Sequence, residues 1–191
     1  MDLTNKTILI TGATDGIGKV LAEEFSKLGS NIILLGKNSS KLDAVYDQLD
    51  HSFDSQKHLI LEADLSLLNN ESAHEILRAI SNEYDALDGI IHNAAILGTM
   101  TPLEDYELSK WDEVLNINLR APFLLTKTLK SIVENSTMPR IIFTSSGVAN
   151  TGRAFWGAYS VSKFGLKGLA EIFTNELENT SSIKVFNFDP G

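Results

Sequence analysis

Six short apolar runs, "KTILITG", "NIILLG", "KHLILEA", "DGIIHNA", "PRIIFTSS" and "IKVFNF", recur along the chain with amphipathic stretches between them. Each is nearly continuous in isoleucine, leucine or phenylalanine rather than alternating, as strands buried on both faces of a parallel sheet are. The intervals keep helical spacing: Ile17, Val20, Leu21, Phe25 and Leu28, with Gly29 at a C-cap position, then Leu42, Val45, Tyr46 and Leu49, then Ala73, Ile76, Leu77 and Ile80. A longer interval from about Glu104 to Asn135 predicts a helix kinked at Pro122, and a last one runs from about Ala158 to Glu178. Strand alternating with helix six times implies right-handed crossovers and an α/β, doubly wound parallel sheet.

The 191 residues favour a single domain over 1–191. A net charge of −9 argues against a nucleic-acid backbone or an anionic membrane as partner. Cysteine is absent, which excludes disulfides, thiolate metal sites and thiol nucleophiles. No apolar run approaches the roughly 18 residues of a membrane span, and "MDLTNKTILITG" has no leader pattern, so a cytoplasmic protein is expected. The histidines show no paired ligand spacing and no metal is expected; His92 is read as a packed core residue.

"ITGATDGIGK" joins the first strand to the first helix, with Gly12, Gly16 and Gly18 spaced GxxxGxG. Glycines there let the backbone turn tightly and approach a ligand, while the helix N-terminus offers N–H groups to a pyrophosphate. Mere loop chemistry is the alternative. After the second strand, "LLGKNSS" has Gly36 where an acid would hold a ribose 2′-hydroxyl, followed by Lys37. That favours NADP(H) over NAD(H), although Asp15 in the glycine loop is a charge of the wrong sign for a 2′-phosphate.

In "WGAYSVSKFG", Tyr159 and Lys163 stand one helical turn apart. A phenol titrates near pH 10 in water, and an adjacent ammonium stabilises its phenolate, so the pair is a candidate acid/base. Alone, YxxxK spacing occurs on many ordinary helices. Ser146, thirteen residues before Tyr159, and Asn118 in "NINLRAPF" are its companions.

"TGATDGIG", "ADL", "HNAA", "NINL", "FTSSG", "YSVSK" and "DPG" follow one another in an order and spacing that resemble the short-chain dehydrogenases/reductases, and within them a bacterial YciK-like subgroup. The resemblance implies a Rossmann fold with strand order 3-2-1-4-5-6 and hydride transfer between a nicotinamide and a carbonyl or secondary alcohol. It assigns proton transfer to Tyr159, the substrate oxygen to Ser146, the ribose hydroxyls and phenol tuning to Lys163, and a relay water to Asn118. Around the dinucleotide it places Gly12, Thr14, Asp15, Gly16, Ile17, Gly18 and Lys37, then Asp64 and Leu65 at the adenine and Asn93 and Ala94 at the ribose. Pro190 and Gly191 resemble the turn at the nicotinamide. Ala95 stands where the family has glycine, and His92 replaces an asparagine.

The sequence stops straight after the sixth strand, where the family continues into a substrate lid, a helix and a seventh strand. A truncated chain, with an exposed edge and weak turnover, is therefore expected. The rival reading is a cofactor-binding regulator or scaffold that kept the fold without the reaction. A nucleotide-sugar epimerase or dehydratase also uses YxxxK, but with different glycine spacing and a larger substrate domain. The family resemblance further implies a homo-oligomer, dimer or tetramer, paired through the helices before and after the fifth strand.

Overall fold

A computed structural model describes residues 3–191. Its strands are β1 (Thr7–Thr11), β2 (Asn31–Gly36), β3 (Leu59–Glu62), β4 (Gly89–His92), β5 (Arg140–Thr144) and β6 (Lys184–Phe188). They form one parallel sheet in the order β3-β2-β1-β4-β5-β6. Every predicted run is a strand. The main helices are α1 (Gly16–Lys27), α2 (Ser39–Tyr46), α3 (Asn70–Glu83), α4 (Leu108–Leu115), α5 (Ala121–Glu134) and α6 (Gly157–Leu177). None is long and apolar enough to cross a membrane.

The continuous apolar runs are explained by helices on both faces. Ile8, Ile10, Ile32 and Leu34 pack against Ala22 of α1 and Leu42 and Val45 of α2. Their neighbours Leu9, Ile33, Leu35 and Ile90 point the other way, into a core shared with α3, α5 and α6. Each such aliphatic side chain contributes about 1.5–3 kcal/mol on full burial. On the α1–α2 side of β5 and β6 this cover runs out: Phe186 and Phe188 are each 48% exposed, and β6 is an edge strand.

Local chemistry sets the helix ends. Asn38 caps α2 by accepting from the Lys41 N–H at 2.9 Å, and Asn69 with Ser72 forms a reciprocal capping box at α3. After α1 the backbone reverses through Gly29 at φ +88°.

The single kinked helix expected between β4 and β5 is instead two helices joined by a π-helical turn, Asn116–Arg120. The backbone stays helical through that turn, so Pro122 is internal to the run 108–134, and the disturbance expected from its missing N–H takes the form of the π-helical turn just before it. The wider turn carries Asn118, the residue expected inside a regular helix. Such turns concentrate at functional positions because they re-aim side chains and backbone groups.

His92 lies beneath the sheet, 2% exposed, stacked on Phe143 at 4.8 Å with its Nε2 2.8 Å from Thr126 Oγ1. Its Nδ1 has no partner among the described residues. Burial pushes its pKa down to about 3, so the ring is neutral and structural. A folded-state value below the unfolded one means stability is full above pH 6.5 and falls as the pH drops below it. Between pH 7 and 5 the unfolded chain takes up the proton first, and His92 alone costs about 2 kcal/mol. Urea unfolding at both pH values should show His92→Gln losing about 2 kcal/mol less than the parent on acidification; equal losses would refute this assignment.

Candidate active site

The strand order reverses between β1 and β4, so their connections leave in opposite directions and open a crevice at the carboxyl edge. Thr11, the last residue of β1, fastens its two sides. Its Oγ1 accepts from the Asn93 and Ala94 N–H groups, both at 3.1 Å, and donates to Ile91 O at 3.4 Å. Asn93 Nδ2 donates in turn to Gly12 O at 3.4 Å.

This closeness is what requires glycine in the loop. Gly12 has φ +65°, and a Cβ there would lie 2.7 Å from Ala94 Cα. A Cβ on Gly18 would lie 2.3 Å from Gly12 O. Gly18 is therefore a packing residue beneath the loop, whereas a Cβ on Gly16 would meet nothing within 4 Å.

The crevice beside this loop has a volume of about 430 Å³. Of the expected dinucleotide residues, Gly12, Thr14, Asp15, Gly16, Ile17, Lys37, Asp64, Leu65, Asn93 and Ala94 line it. Ala63, Ala95, Ile96 and Ile117 line it too. These four carry no polar group that sequence reasoning could single out, although Ala95 was visible as a departure from the family pattern.

Two acidic residues, Asp15 and Asp64, line the crevice. Asp15 caps α1, its Oδ1 accepting the Gly16 N–H at 2.7 Å. The carboxylate thus occupies the helix N-terminal donor on which a phosphate oxygen would sit. Asp64 Oδ1 accepts from Ser66 Oγ at 2.6 Å and Ser66 N at 2.9 Å. Those hydrogen bonds, with a smaller contribution from the nearby Lys37 charge, hold its carboxyl below the usual range.

Tyr159 and Lys163 lie on the first turns of α6, away from this crevice wall, with Lys163 Nζ 5.6 Å from the phenol ring centroid. Lys163 is 3% exposed, and its Nζ donates to Thr144 O, at the carboxyl end of β5, at 2.7 Å. Burial draws its pKa down to about 8, against a smaller opposing pull from Asp189. At neutral pH it is still mostly charged.

Tyr159 is half-buried and Trp156 packs edge-on against it at 5.7 Å. Ser146 follows β5 in extended conformation, at the start of a 3-10 turn. Neither the Ser146 hydroxyl nor the Tyr159 hydroxyl has a hydrogen-bond partner among the described residues.

Asn118, 1% exposed, links the two ends of the site. Its amide exchanges two 2.9 Å hydrogen bonds with the Ile96 backbone, on the crevice wall, and donates a third to Ser162 Oγ at 3.0 Å. The side chain is thus fully committed to protein groups. Pro122 has no N–H to offer the carbonyl four residues back, which leaves Asn118 O without its α-helical donor.

Pro190 and Gly191 are exposed beyond β6 and do not line the crevice; Gly191 N donates to Asp189 Oδ1 at 3.2 Å. Ser145 N donates to Phe188 O, which sets the start of that segment beside Ser146.

A parallel sheet in this order, with a glycine loop at its switch point, is a Rossmann-type dinucleotide-binding fold. Residues 6–191 match the family described as short chain dehydrogenase. The chain is 34% identical over 185 residues to the Uncharacterized oxidoreductase YciK of Escherichia coli K12, covering 97% of this chain and 73% of the relative. A short-chain dehydrogenase structure from Pseudomonas syringae superposes with a TM-score of 0.94 at 35% identity, covering 99% of this chain and 76% of that one. One from Escherichia coli CFT073, complexed with NADPH, gives 0.93 at 34% identity, covering 100% and 78%. The chain belongs to the short-chain dehydrogenase/reductase family, and YciK is among its relatives.

Proposed function

We propose that the protein is an NADP(H)-dependent oxidoreductase that interconverts a carbonyl compound and a secondary alcohol, with Tyr159 as its acid/base. The observation that carries this reading is one cluster at the carboxyl edge. It holds a buried cation, Lys163, beside the Tyr159 ring, while the Tyr159 and Ser146 hydroxyls lack partners among the described residues.

The residues present suit a dinucleotide. The α1 N-terminus already holds an anion in the Asp15 carboxylate, and the space at Gly16 is open. Thr14 and Lys37 add donors, and Asn93 and Ala94 form the opposite wall. The NADPH complex of the Escherichia coli CFT073 relative and Lys37 after β2 both support NADP(H) over NAD(H). The Gly16 N–H now taken by Asp15 would be available to a phosphate if that carboxylate turned away.

Bound there, the nicotinamide supplies or accepts the hydride at the carbonyl carbon. In reduction, Tyr159 gives its phenolic proton to the carbonyl oxygen, and in oxidation its phenolate takes the alcohol proton. Ser146 donates to the same oxygen as charge develops on it. The Lys163 ammonium lies beside the phenol ring and is itself held by Thr144 O. Asp64 and Leu65 bound the adenine end, and Asn118 holds the crevice wall against α6. Pro190 and Gly191, outside the crevice in this structure, would have to fold toward it to meet a nicotinamide.

A second copy of the chain is the partner we assign to the groove along α5 and α6. It has a volume of about 730 Å³, with Phe123 44% and Ile172 55% exposed on its walls. Light scattering should show a dimer or larger, and Ile172→Glu should shift it toward monomer; a monomeric parent would exclude the pairing.

Tyr159→Phe keeps the ring and removes the proton, so kcat should fall by about 10²–10⁴-fold with nucleotide affinity retained. Wild-type turnover in that variant would sink the mechanism. Lys37→Glu should weaken NADPH about tenfold while leaving NADH nearly unchanged, since it replaces attraction by repulsion at the 2′-phosphate. Parallel changes in both affinities, measured by titration, would remove Lys37 from that role.

A further inference from the structure

We infer that Ser162, on the buried side of α6, is a positioning residue for the reaction proposed above. It holds the Asn118 turn and the Tyr159–Lys163 turn in one fixed relation. The inference rests on that mechanistic reading.

Ser162 is 0% exposed and sits between the two reactive positions, three residues after Tyr159 and one before Lys163. Its hydroxyl donates to Tyr159 O at 2.7 Å and accepts from Asn118 Nδ2 at 3.0 Å. A hydroxyl has one proton, and donation to the Tyr159 carbonyl leaves a lone pair for the amide. Asn118 has two amide protons, one of which goes to Ile96 O and the other to Ser162, while its Oδ1 takes the Ile96 N–H. Flipping the amide would set oxygen against oxygen at Ile96, so every donor and acceptor in the cluster has one arrangement.

This arrangement couples three separate elements. Ile96 lies on the dinucleotide crevice, Asn118 on the π-helical turn before α5, and Ser162 on the turn of α6 that carries the phenol and the ammonium. No other side-chain hydrogen bond joins that π-helical turn to α6 among the described residues. The neighbouring apolar contacts, such as Leu119 against Gly165, are non-directional and tolerate sliding. A directional bond fixes register; a methyl contact does not. Ser162 touches neither substrate nor nucleotide in this scheme, and acts through Asn118 and the Tyr159 backbone.

The test is steady-state kinetics with NADPH and a carbonyl substrate, on the parent, Ser162→Ala, Ser162→Thr and Tyr159→Phe, with pH profiles and thermal melts. Ser162→Ala should lower kcat by about 10- to 100-fold, because displacement of a reacting group by about an ångström has effects of that size. It should leave NADPH affinity within about twofold and displace the pKa seen in the kcat profile. Ser162→Thr, which keeps the hydroxyl, should recover most of the rate and the parent pH profile. Parent-like kcat and pH dependence in Ser162→Ala, with Tyr159→Phe inactive, would overturn the positioning role and spare the mechanism. An active Tyr159→Phe would instead remove the mechanism itself.

If Ser162→Ala fails to fold, hydrogen exchange of the Asn118 side-chain amide in the parent decides. Strong protection is expected, and exchange at the rate of a free amide would refute the clamp.

Discussion

A lysine ammonium removed almost wholly from water is the constraint around which this site is organised. Among the described residues Lys163 has no carboxylate within ion-pair distance, only the Thr144 carbonyl and a more distant pull from Asp189. Its burial lowers its pKa but leaves it charged at neutrality, a state that requires the β5 carboxyl end, α6 and the end of β6 to stay in place. The structure therefore spends stability to hold a cation beside a phenol, and such local cost is common where chemistry is done.

The remaining polar groups divide between those already satisfied and those left open. Asn118, Ser162 and Thr11 are saturated by protein partners and act as struts between β1, β4, the π-helical turn and α6. Ser146 and Tyr159 have hydroxyls without partners among the described residues, at the same edge. Rigid supports and unsatisfied reactive groups, side by side, are what a preorganised site needs. Asp15 belongs to neither set: its carboxylate accepts the Gly16 N–H at the α1 N-terminus.

Away from the crevice the fold shows where its apolar cover is incomplete. Phe186 and Phe188 lie on a sheet face that no helix covers among the described residues, and the α5–α6 groove leaves Phe123 and Ile172 exposed. Neither surface touches the struts of the site directly. The α5–α6 groove does share Leu119 and Gly165 with the π-turn region, so pairing there would stiffen the same elements that Asn118 and Ser162 connect.

The residue pattern alone determined six strands in a parallel sheet, the helices that cover them, the glycine loop and the Tyr159–Lys163 spacing, whereas the strand order and the roles of Asn118 and Ser146 were implied by the family resemblance. The former are legible because strand and helix periods, helix caps and the YxxxK spacing are local along the chain. Tertiary structure decided the rest, through contacts between residues far apart in sequence. It tied Asn118 to the Ile96 backbone and set Gly18 against Asn93. It also kept His92 neutral against Phe143 and made Ser162 the partner of Asn118. Burial and hydrogen-bond partners arise only when segments 44 or 82 residues apart meet, as Asn118 meets Ser162 and Asn93 meets Thr11, and no local period encodes such a meeting.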